Sequence, residues 1–182
     1  DKREVVTLMT LGAAPELLAL GYLRNQRLVD SLDEVESVTV DWDVAAAAVK
    51  TRRGTSPSIA ARTARRIVTT GCGQGTMFGH LMDERDAATL PSPAVARIRQ
   101  STLQTLNEAM RKTDSVHRRA GSVHGCALFR GSEMLTFVED VGRHNAIDTI
   151  AGWMWLHGDA PLGQGADKVF YTTGRLTSEM VM

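Results

Sequence analysis

One segment, 138–148 (VEDVGRHNAID), holds the densest set of side chains in this chain that could do chemistry. It lies between a strand-like run and an amphipathic run, so in an α/β protein it falls at the carboxyl end of a strand and the first turn of a helix, where ligands bind. A connection that only turns the chain is built from Gly, Asn or Asp. The density of acceptors and donors therefore favours a binding site. The alternative from residue types alone is that Asp140 is an N-cap before a solvated first turn. The candidates in this segment are Glu139, Asp140, Gly142, Arg143, His144 and Asn145.

A second candidate set follows the predicted strand at 168–172, where Arg175 and Ser178 begin the next predicted helix. Two strand-to-helix turns of one α/β sheet can face the same crevice. Arginine suits bidentate contact with phosphate, asparagine suits a base or ribose, and serine hydroxyl and backbone N–H groups suit oxygen atoms. Together the two turns predict a site for a phosphate and a purine edge.

Cys72 is the candidate nucleophile. It lies in the glycine-rich run 71–75 (GCGQG), and no acidic residue occurs between Asp43 and Asp83, whereas six basic residues do. The thiolate is the nucleophile in sulfur transfer, and nearby arginines lower a thiol pKa. Two alternatives stay open: a structural cysteine, and a solvated loop that happens to be basic.

The second cysteine, Cys126, is predicted to be a packing residue because it lies on a probable buried strand, 121–129 (GSVHGCALF). His124 precedes it by two positions and could be either a hydrogen-bonded structural residue or part of the site. His80 has no comparable support.

The elements that must position these residues alternate along the chain. Strands are predicted at 4–10, 34–42, 66–70, 121–129, 134–138 and 168–172, with 44–50 as a hairpin partner or a continuation of the second. Helices are predicted at 15–27, 93–112, 145–157 and from 177, with a long mobile loop at 76–93. The order from 92 onward indicates a layered α/β domain around a mixed sheet. We divide the chain into an N-terminal α+β region (1–70), a mobile cysteine-bearing loop (71–93) and an α/β domain (94–182).

Composition excludes several classes of function. Lys plus Arg and Asp plus Glu number 21 each, so broad nucleic-acid or membrane-surface binding is not expected. No run of eighteen apolar residues and no signal-peptide pattern is visible. Two cysteines cannot form a disulfide framework, so the default compartment is the cytoplasm.

The string EDVGRHNAID, with GRLTSEMV at 174–181, resembles the formate dehydrogenase accessory sulfurtransferase family, FdhD. The resemblance implies a cytidine-deaminase-like three-layer α/β/α domain with further segments after Met182, and a homodimer. It also implies binding of the pterin-guanine-dinucleotide form of the molybdenum or tungsten cofactor as a client. The turn at 121–124 (GSVH) resembles the family's turn before the first hairpin strand, which moves His124 towards the site.

In that family Cys72 corresponds to the first cysteine of a C-x-x-C motif, the persulfide carrier that takes sulfur from a cysteine desulfurase before the cofactor enters apo formate dehydrogenase. Here Gly75 replaces the second cysteine, so an internal disulfide within the motif is impossible. Either Cys72 transfers sulfur alone, or the protein is a non-catalytic cofactor-binding chaperone.

Two other classes of enzyme do not fit the sequence. A zinc deaminase needs His or Cys followed by x-Glu and a Pro-Cys-x-x-Cys pair, and neither is present, so no metal ligands are predicted. A Cys-x5-Arg phosphatase is excluded because Phe78 stands at the arginine position.

Overall fold

The computed structural model describes residues 4–52, 92–158, 167–177 and 180, and the backbone alone of 66–69 and 75–78. Cys72, Ser178, most of the loop predicted at 76–93 and most of the helix predicted from 177 lie outside the described residues. The elements in chain order are α1 (Pro15–Asn25), a 3₁₀ turn (Leu32–Glu34), β1 (Val35–Asp41), β2 (Ala46–Thr51), β3 (Arg66–Thr69), β4 (Gly75–Phe78), α2 (Gln100–Lys112), α3 (Val116–Ala120), β5 (His124–Arg130), β6 (Glu133–Asp140), α4 (Arg143–Leu156) and β7 (Lys168–Thr172).

The central sheet has the order β6-β5-β7, and β5 is antiparallel to both neighbours. In this register Cys126 faces Val138 on one side and Thr172 on the other. Since β6 and β7 both run opposite to β5, they end at the edge of the sheet where β5 begins. The mixed sheet that we predicted is not seen among the described strands, because each hydrogen-bonded pair is antiparallel.

Helices cover both faces of this sheet. Cys126 and Leu128 pack on Ala146 and Ile150 of α4. The alternate residues of β5, including Phe129, face the other way, in a cluster with Leu106 of α2. This alternation follows from the two-residue period of a strand. The predicted three layers are therefore present, as α2, sheet and α4.

Helix α1 lies directly on α4, and two glycines make this possible. A Cβ atom at Gly21 would lie 1.6 Å from the Asp148 carbonyl oxygen, and one at Gly152 would lie 2.0 Å from the Leu17 carbonyl oxygen. Only hydrogen fits at these points, so the two backbones touch. The domain boundaries stay a prediction, but α1, from the region predicted as N-terminal, packs on the helix that begins the candidate site.

Three of the predicted segments have a different structure from the one expected. Residues 4–10 form neither a strand nor a helix. Helix α2 begins at Gln100 and not at 93, because Val95 and Ile98 are exposed and have no core to face. Strand β4 lies within the segment predicted as a loop, where it pairs antiparallel with β3. The β1–β2 pair is a hairpin, which settles the alternative left open for 44–50.

Within the described ranges, no helix is both long enough and apolar enough to cross a membrane.

Candidate functional site

The two predicted turns meet at the edge of the sheet where β5 begins. His124, the first residue of β5, is opposite Asp140, the last residue of β6. Gly174 lies two residues beyond the end of β7, and a Cβ atom there would lie 3.2 Å from His124 Nδ1 and 3.4 Å from Arg143 Cβ. The structure thus brings together the His124 ring, the first turn of α4 and the segment after β7.

Arg143 is the unusual residue of this cluster. It is only 3% exposed, and no carboxylate pairs with it among the described residues. Its Nε atom is buried and has no hydrogen-bond partner in the same part of the chain. A buried charge without a partner is costly. An anionic group of a ligand would supply both the missing charge and the missing acceptor.

His124 is half-buried beside this cation. Burial lowers the pKa of its imidazole, and the positive charges of Arg143 and then of His117 lower it further. His117 Nδ1 lies 2.6 Å from the Val123 carbonyl oxygen, so that nitrogen carries the proton. The lowered pKa favours neutral His124 at neutral pH, with one ring nitrogen able to accept a proton.

Asp140 holds the chain around the site together. Its carboxylate accepts hydrogen bonds from the Thr10 hydroxyl, the Leu11 N–H at 3.1 Å and the Gly142 N–H at 2.9 Å. It is 3% exposed. The structure thus gives Asp140 a role in fixing the segment before α1 and the turn into α4. It is not the side-chain N-cap of the open alternative, because α4 begins after Gly142 and has no side-chain cap.

Asn145 has a similar role. Its Nδ2 donates to the Met9 carbonyl at 2.6 Å and to Asp140 at 2.9 Å. A Cβ atom at Gly142 would lie 3.0 Å from this nitrogen, so the glycine leaves room for the bonds. The cofactor contacts predicted for these residues stay predictions, but the amide N–H groups of Asn145 are already engaged.

Glu139 caps helix α3. Its two carboxylate oxygens accept hydrogen bonds from the backbone N–H groups of Val116 at 2.8 Å and His117 at 2.7 Å. These are donors that the first turn of a helix leaves unpaired. The cofactor contact predicted for Glu139 is untested, and its observed role is structural.

The remaining candidates are placed as follows. His144 is half-buried on the first turn of α4, and Arg175 is exposed just beyond Gly174. Cys72 and Ser178 lie outside the described residues.

Cys126 is a core residue, as predicted. It is fully buried, and its Sγ donates to the Thr172 hydroxyl at 3.3 Å. Burial raises the pKa of its thiol to about 11. The protonated thiol is a poor nucleophile.

Two residues at the site were missed by the sequence analysis. Gly174 was noticed only as part of a string, yet it forms the wall next to His124. His117 lies in a short basic run, and nothing in that run indicates that its ring approaches the start of β5.

Comparison with known proteins identifies the family of this chain. The model of the FdhD/NarQ family matches residues 1–182. The chain belongs to the FdhD/NarQ family. The resemblance carried by the segments 139–148 and 174–181 is thereby confirmed.

Curated relatives bear the name sulfur carrier protein FdhD. The protein of Bacillus pumilus is 28% identical over 181 residues, which is 98% of this chain and 66% of the relative. The protein of Sulfurisphaera tokodaii is 29% identical over 166 residues, or 90% of this chain and 59% of the relative. The chain therefore spans less than two thirds of the length of these relatives.

A crystal structure from Desulfotalea psychrophila, described provisionally as a formate dehydrogenase accessory protein, has the same fold. Its TM-score is 0.59 at 22% identity, over 94% of this chain and 60% of that one. At this identity the likeness supports the fold alone. The similarity to cytidine deaminases stays a prediction.

Proposed function

We propose that this protein is a sulfur carrier that moves sulfur from a cysteine desulfurase to the molybdenum or tungsten pterin-guanine-dinucleotide cofactor, and so activates formate dehydrogenase. It acts in the cytoplasm as a homodimer. The family membership and the names of the relatives support sulfur carriage for formate dehydrogenase. The donor, the cofactor, the compartment and the dimer are proposals.

The observation that carries the cofactor half of this proposal is the buried guanidinium of Arg143 beside His124, whose Nε atom has no hydrogen-bond partner among the described residues. A pyrophosphate of the cofactor would place anionic oxygens near Arg143 Nε, for which the described part of the chain supplies no acceptor. The backbone N–H groups at the start of α4 add a favourable field for the same anion. Arg175, exposed beyond Gly174, is suited to a second phosphate contact.

Neutral His124 supports a second part of the proposal. A ring that is uncharged at neutral pH can hydrogen-bond to a polar group of the client cofactor and can accept a proton. The lowered pKa of His124 arises first from burial and then from Arg143. Binding an anion at Arg143 would offset that positive charge, so the pKa of His124 would rise when the cofactor binds.

In the proposed sulfur transfer, Cys72 accepts the sulfur atom. Its thiolate attacks the outer sulfur of the desulfurase persulfide, a new S–S bond forms on Cys72, and the desulfurase cysteine leaves as a thiolate. Delivery as sulfide then takes two electrons. Gly75 cannot supply them and Cys126 is buried with its thiol protonated, so we expect an external thiol to do so.

The alternative function is a non-catalytic chaperone that binds the cofactor for formate dehydrogenase. The specific observation in its favour is Gly75 in place of the second cysteine. Both functions require the Arg143 cluster, and they differ only in the need for Cys72.

Activation of apo formate dehydrogenase tests the proposal. Cofactor, desulfurase, L-cysteine and a thiol reductant are supplied with wild type, Cys72→Ser, Arg143→Gln or Cys126→Ser. We expect activation by wild type and little activation by Cys72→Ser or Arg143→Gln. Cys126→Ser should retain activation if that variant is folded. Full activation by Cys72→Ser would contradict sulfur carriage and support the chaperone, whereas full activation by Arg143→Gln would contradict the cofactor site.

A further inference from the structure

A pocket of about 330 Å³ lies on the face of the sheet opposite to α4, between α2, α3 and the strands. It is separate from the His124–Arg143 cluster because successive residues of β5 face opposite sides of the sheet. Gly125 lines this pocket, whereas Cys126 packs against α4. The volume falls within the range of roughly 300–1,000 Å³ that is typical of small-molecule sites.

The walls of the pocket are apolar and partly aromatic. Met110 of α2, Phe137 of β6 and Tyr171 of β7 line it. A Cβ atom at Gly125 would lie 3.2 Å from the Phe137 ring, so the absence of a side chain keeps the space beside that ring open. These surfaces suit the face of a flat ring.

The mouth of the pocket is cationic. Arg111 at the end of α2 and Arg118 of α3 both line it, and Arg118 Nη1 donates to the Arg111 carbonyl at 2.8 Å. Neither guanidinium has an ion pair within the described ranges. The nearby carboxylate of Glu139 is engaged by the N–H groups of α3. Two arginines that line one pocket and have no ion pair among the described residues can together bind an anionic group.

Polar groups that line the pocket can fix the orientation of a bound ligand. The Thr173 hydroxyl accepts a hydrogen bond from the Gly125 N–H at 3.0 Å, which leaves its own proton for another acceptor. His117 also lines the pocket, and since Nδ1 bonds the Val123 carbonyl, Nε2 is the ring atom left for a ligand. A few convergent polar groups in an apolar cleft are the usual composition of a ligand site.

We propose that this pocket binds a small planar anion, an aromatic ring that carries a carboxylate or a phosphate monoester. The ring lies against Phe137 and Tyr171, and the anionic group lies between Arg111 and Arg118. This site is distinct from the cluster around Arg143, and the proposal does not depend on the proposed sulfur transfer.

Phenyl phosphate is the probe that combines both features. Its binding to the full chain is followed by the backbone amide signals of Gly125, His117 and Thr173 in a titration by NMR. We expect saturable shifts at these amides, and about tenfold weaker binding for either Arg111→Gln or Arg118→Gln, because each removes a charge-assisted hydrogen bond. Arg119→Gln is the matched control: it removes an exposed charge of α3 that pairs with Asp114 at 3.7 Å and does not line the pocket, so binding should be unchanged.

Two further ligands separate the ring from the charge. Benzyl alcohol lacks the anion and inorganic phosphate lacks the ring. Each should therefore bind at least about tenfold more weakly than phenyl phosphate. The proposal is overturned if phenyl phosphate leaves the three amides unshifted, if the double variant Arg111→Gln/Arg118→Gln binds it as tightly as wild type, or if inorganic phosphate binds equally well. Both arginines are exposed, so the variants should keep the amide spectrum of the folded protein.

Discussion

Gly174 lies directly against the His124 ring: a Cβ atom added to the glycine would be 3.2 Å from Nδ1. The same position is 3.4 Å from Arg143 Cβ. Three separate parts of the chain thus enclose one imidazole, which is why its pKa responds both to burial and to the neighbouring cation.

The first prediction concerns the titration of His124. Burial, Arg143 and His117 lower its pKa, so Arg143→Gln should raise it by removing a positive charge. Gly174→Ala should lower it further by excluding water. The measurement is an NMR pH titration of the ring, with exposed His157 as the internal reference. An unchanged pKa in Arg143→Gln would contradict the assigned cause.

The lowered pKa of His124 also makes the stability of the folded protein depend on pH. The unfolded chain takes up the proton near pH 6.5, whereas folded His124 takes it up only at lower pH. The contribution of His124 to stability is therefore present above pH 6.5 and is lost as the pH falls below it.

The second prediction separates a functional Arg143 from a structural one. Because its guanidinium is buried without an ion pair among the described residues, Arg143→Gln should unfold at the same temperature as wild type or higher. Binding of guanosine diphosphate, a fragment of the proposed cofactor, should weaken by about tenfold or more. Arg97→Gln, which changes an exposed arginine, is the control for both measurements. A large loss of stability with unchanged nucleotide binding would make Arg143 a structural residue.

The third prediction concerns the cap of α3. Glu139→Gln keeps one oxygen but turns an NH₂ group towards the second N–H donor, so we expect it to lower the free energy of unfolding by about 1–3 kcal/mol. Glu133→Gln, on the exposed end of the same strand, should change it by less than about 0.5 kcal/mol. Urea denaturation of the two variants checks this. Equal stabilities would mean that the cap contributes nothing.

The fourth prediction concerns Asp148, which is buried where α1 crosses α4. Burial raises its pKa to about 7, and the hydrogen bond from Asn25 at 2.7 Å opposes the shift. Since the unfolded value is 3.8, the protonated acid is favoured in the folded state. The associated stability is complete below pH 3.8 and is lost as the pH rises through about 7.

Asp148→Asn cannot ionise, so it should be more stable than wild type at pH 8 by up to about 4 kcal/mol, and the difference should vanish near pH 4. Denaturation at several pH values measures this. The control is Asp167→Asn. Hydrogen bonds from Lys168 and Arg130 lower the pKa of exposed Asp167 to about 2, so that variant should differ from wild type by a constant amount between pH 5 and 8. A wild-type advantage at pH 8 over Asp148→Asn would contradict the assignment.

Much of the fold around the site follows from local patterns. Strand β7 begins and ends where its β-branched and aromatic run predicts, and α4 begins two residues before the predicted start. The β5–β6 hairpin was predicted from the turn at 130–132. At residues 4–10 the local pattern predicts a strand that does not form. The backbone there is hydrogen-bonded to a side chain, since the Met9 carbonyl accepts a hydrogen bond from Asn145.

The candidate site was only partly predictable, because residue type does not tell a carboxylate that binds a ligand from one that binds backbone N–H groups. In this fold Glu139 and Asp140 accept hydrogen bonds from backbone N–H groups, and their predicted contacts with the cofactor stay predictions. Arg143 was a candidate from the sequence, but the burial of its Nε atom without a partner among the described residues appears only in three dimensions. Gly75 occupies the position of the second cysteine of the C-x-x-C motif. This replacement bears on the mechanism of sulfur transfer, and it is visible in the sequence alone.

The most direct test of the proposed sulfur carrier is the intact mass of the protein after incubation with a cysteine desulfurase and L-cysteine. Wild type, Cys72→Ser and Cys126→Ser are compared before and after reductant. We predict that wild type and Cys126→Ser gain one sulfur atom that reductant removes, and that Cys72→Ser gains none. No gain on wild type, with nucleotide binding intact, would contradict sulfur carriage and leave the cofactor chaperone as the function.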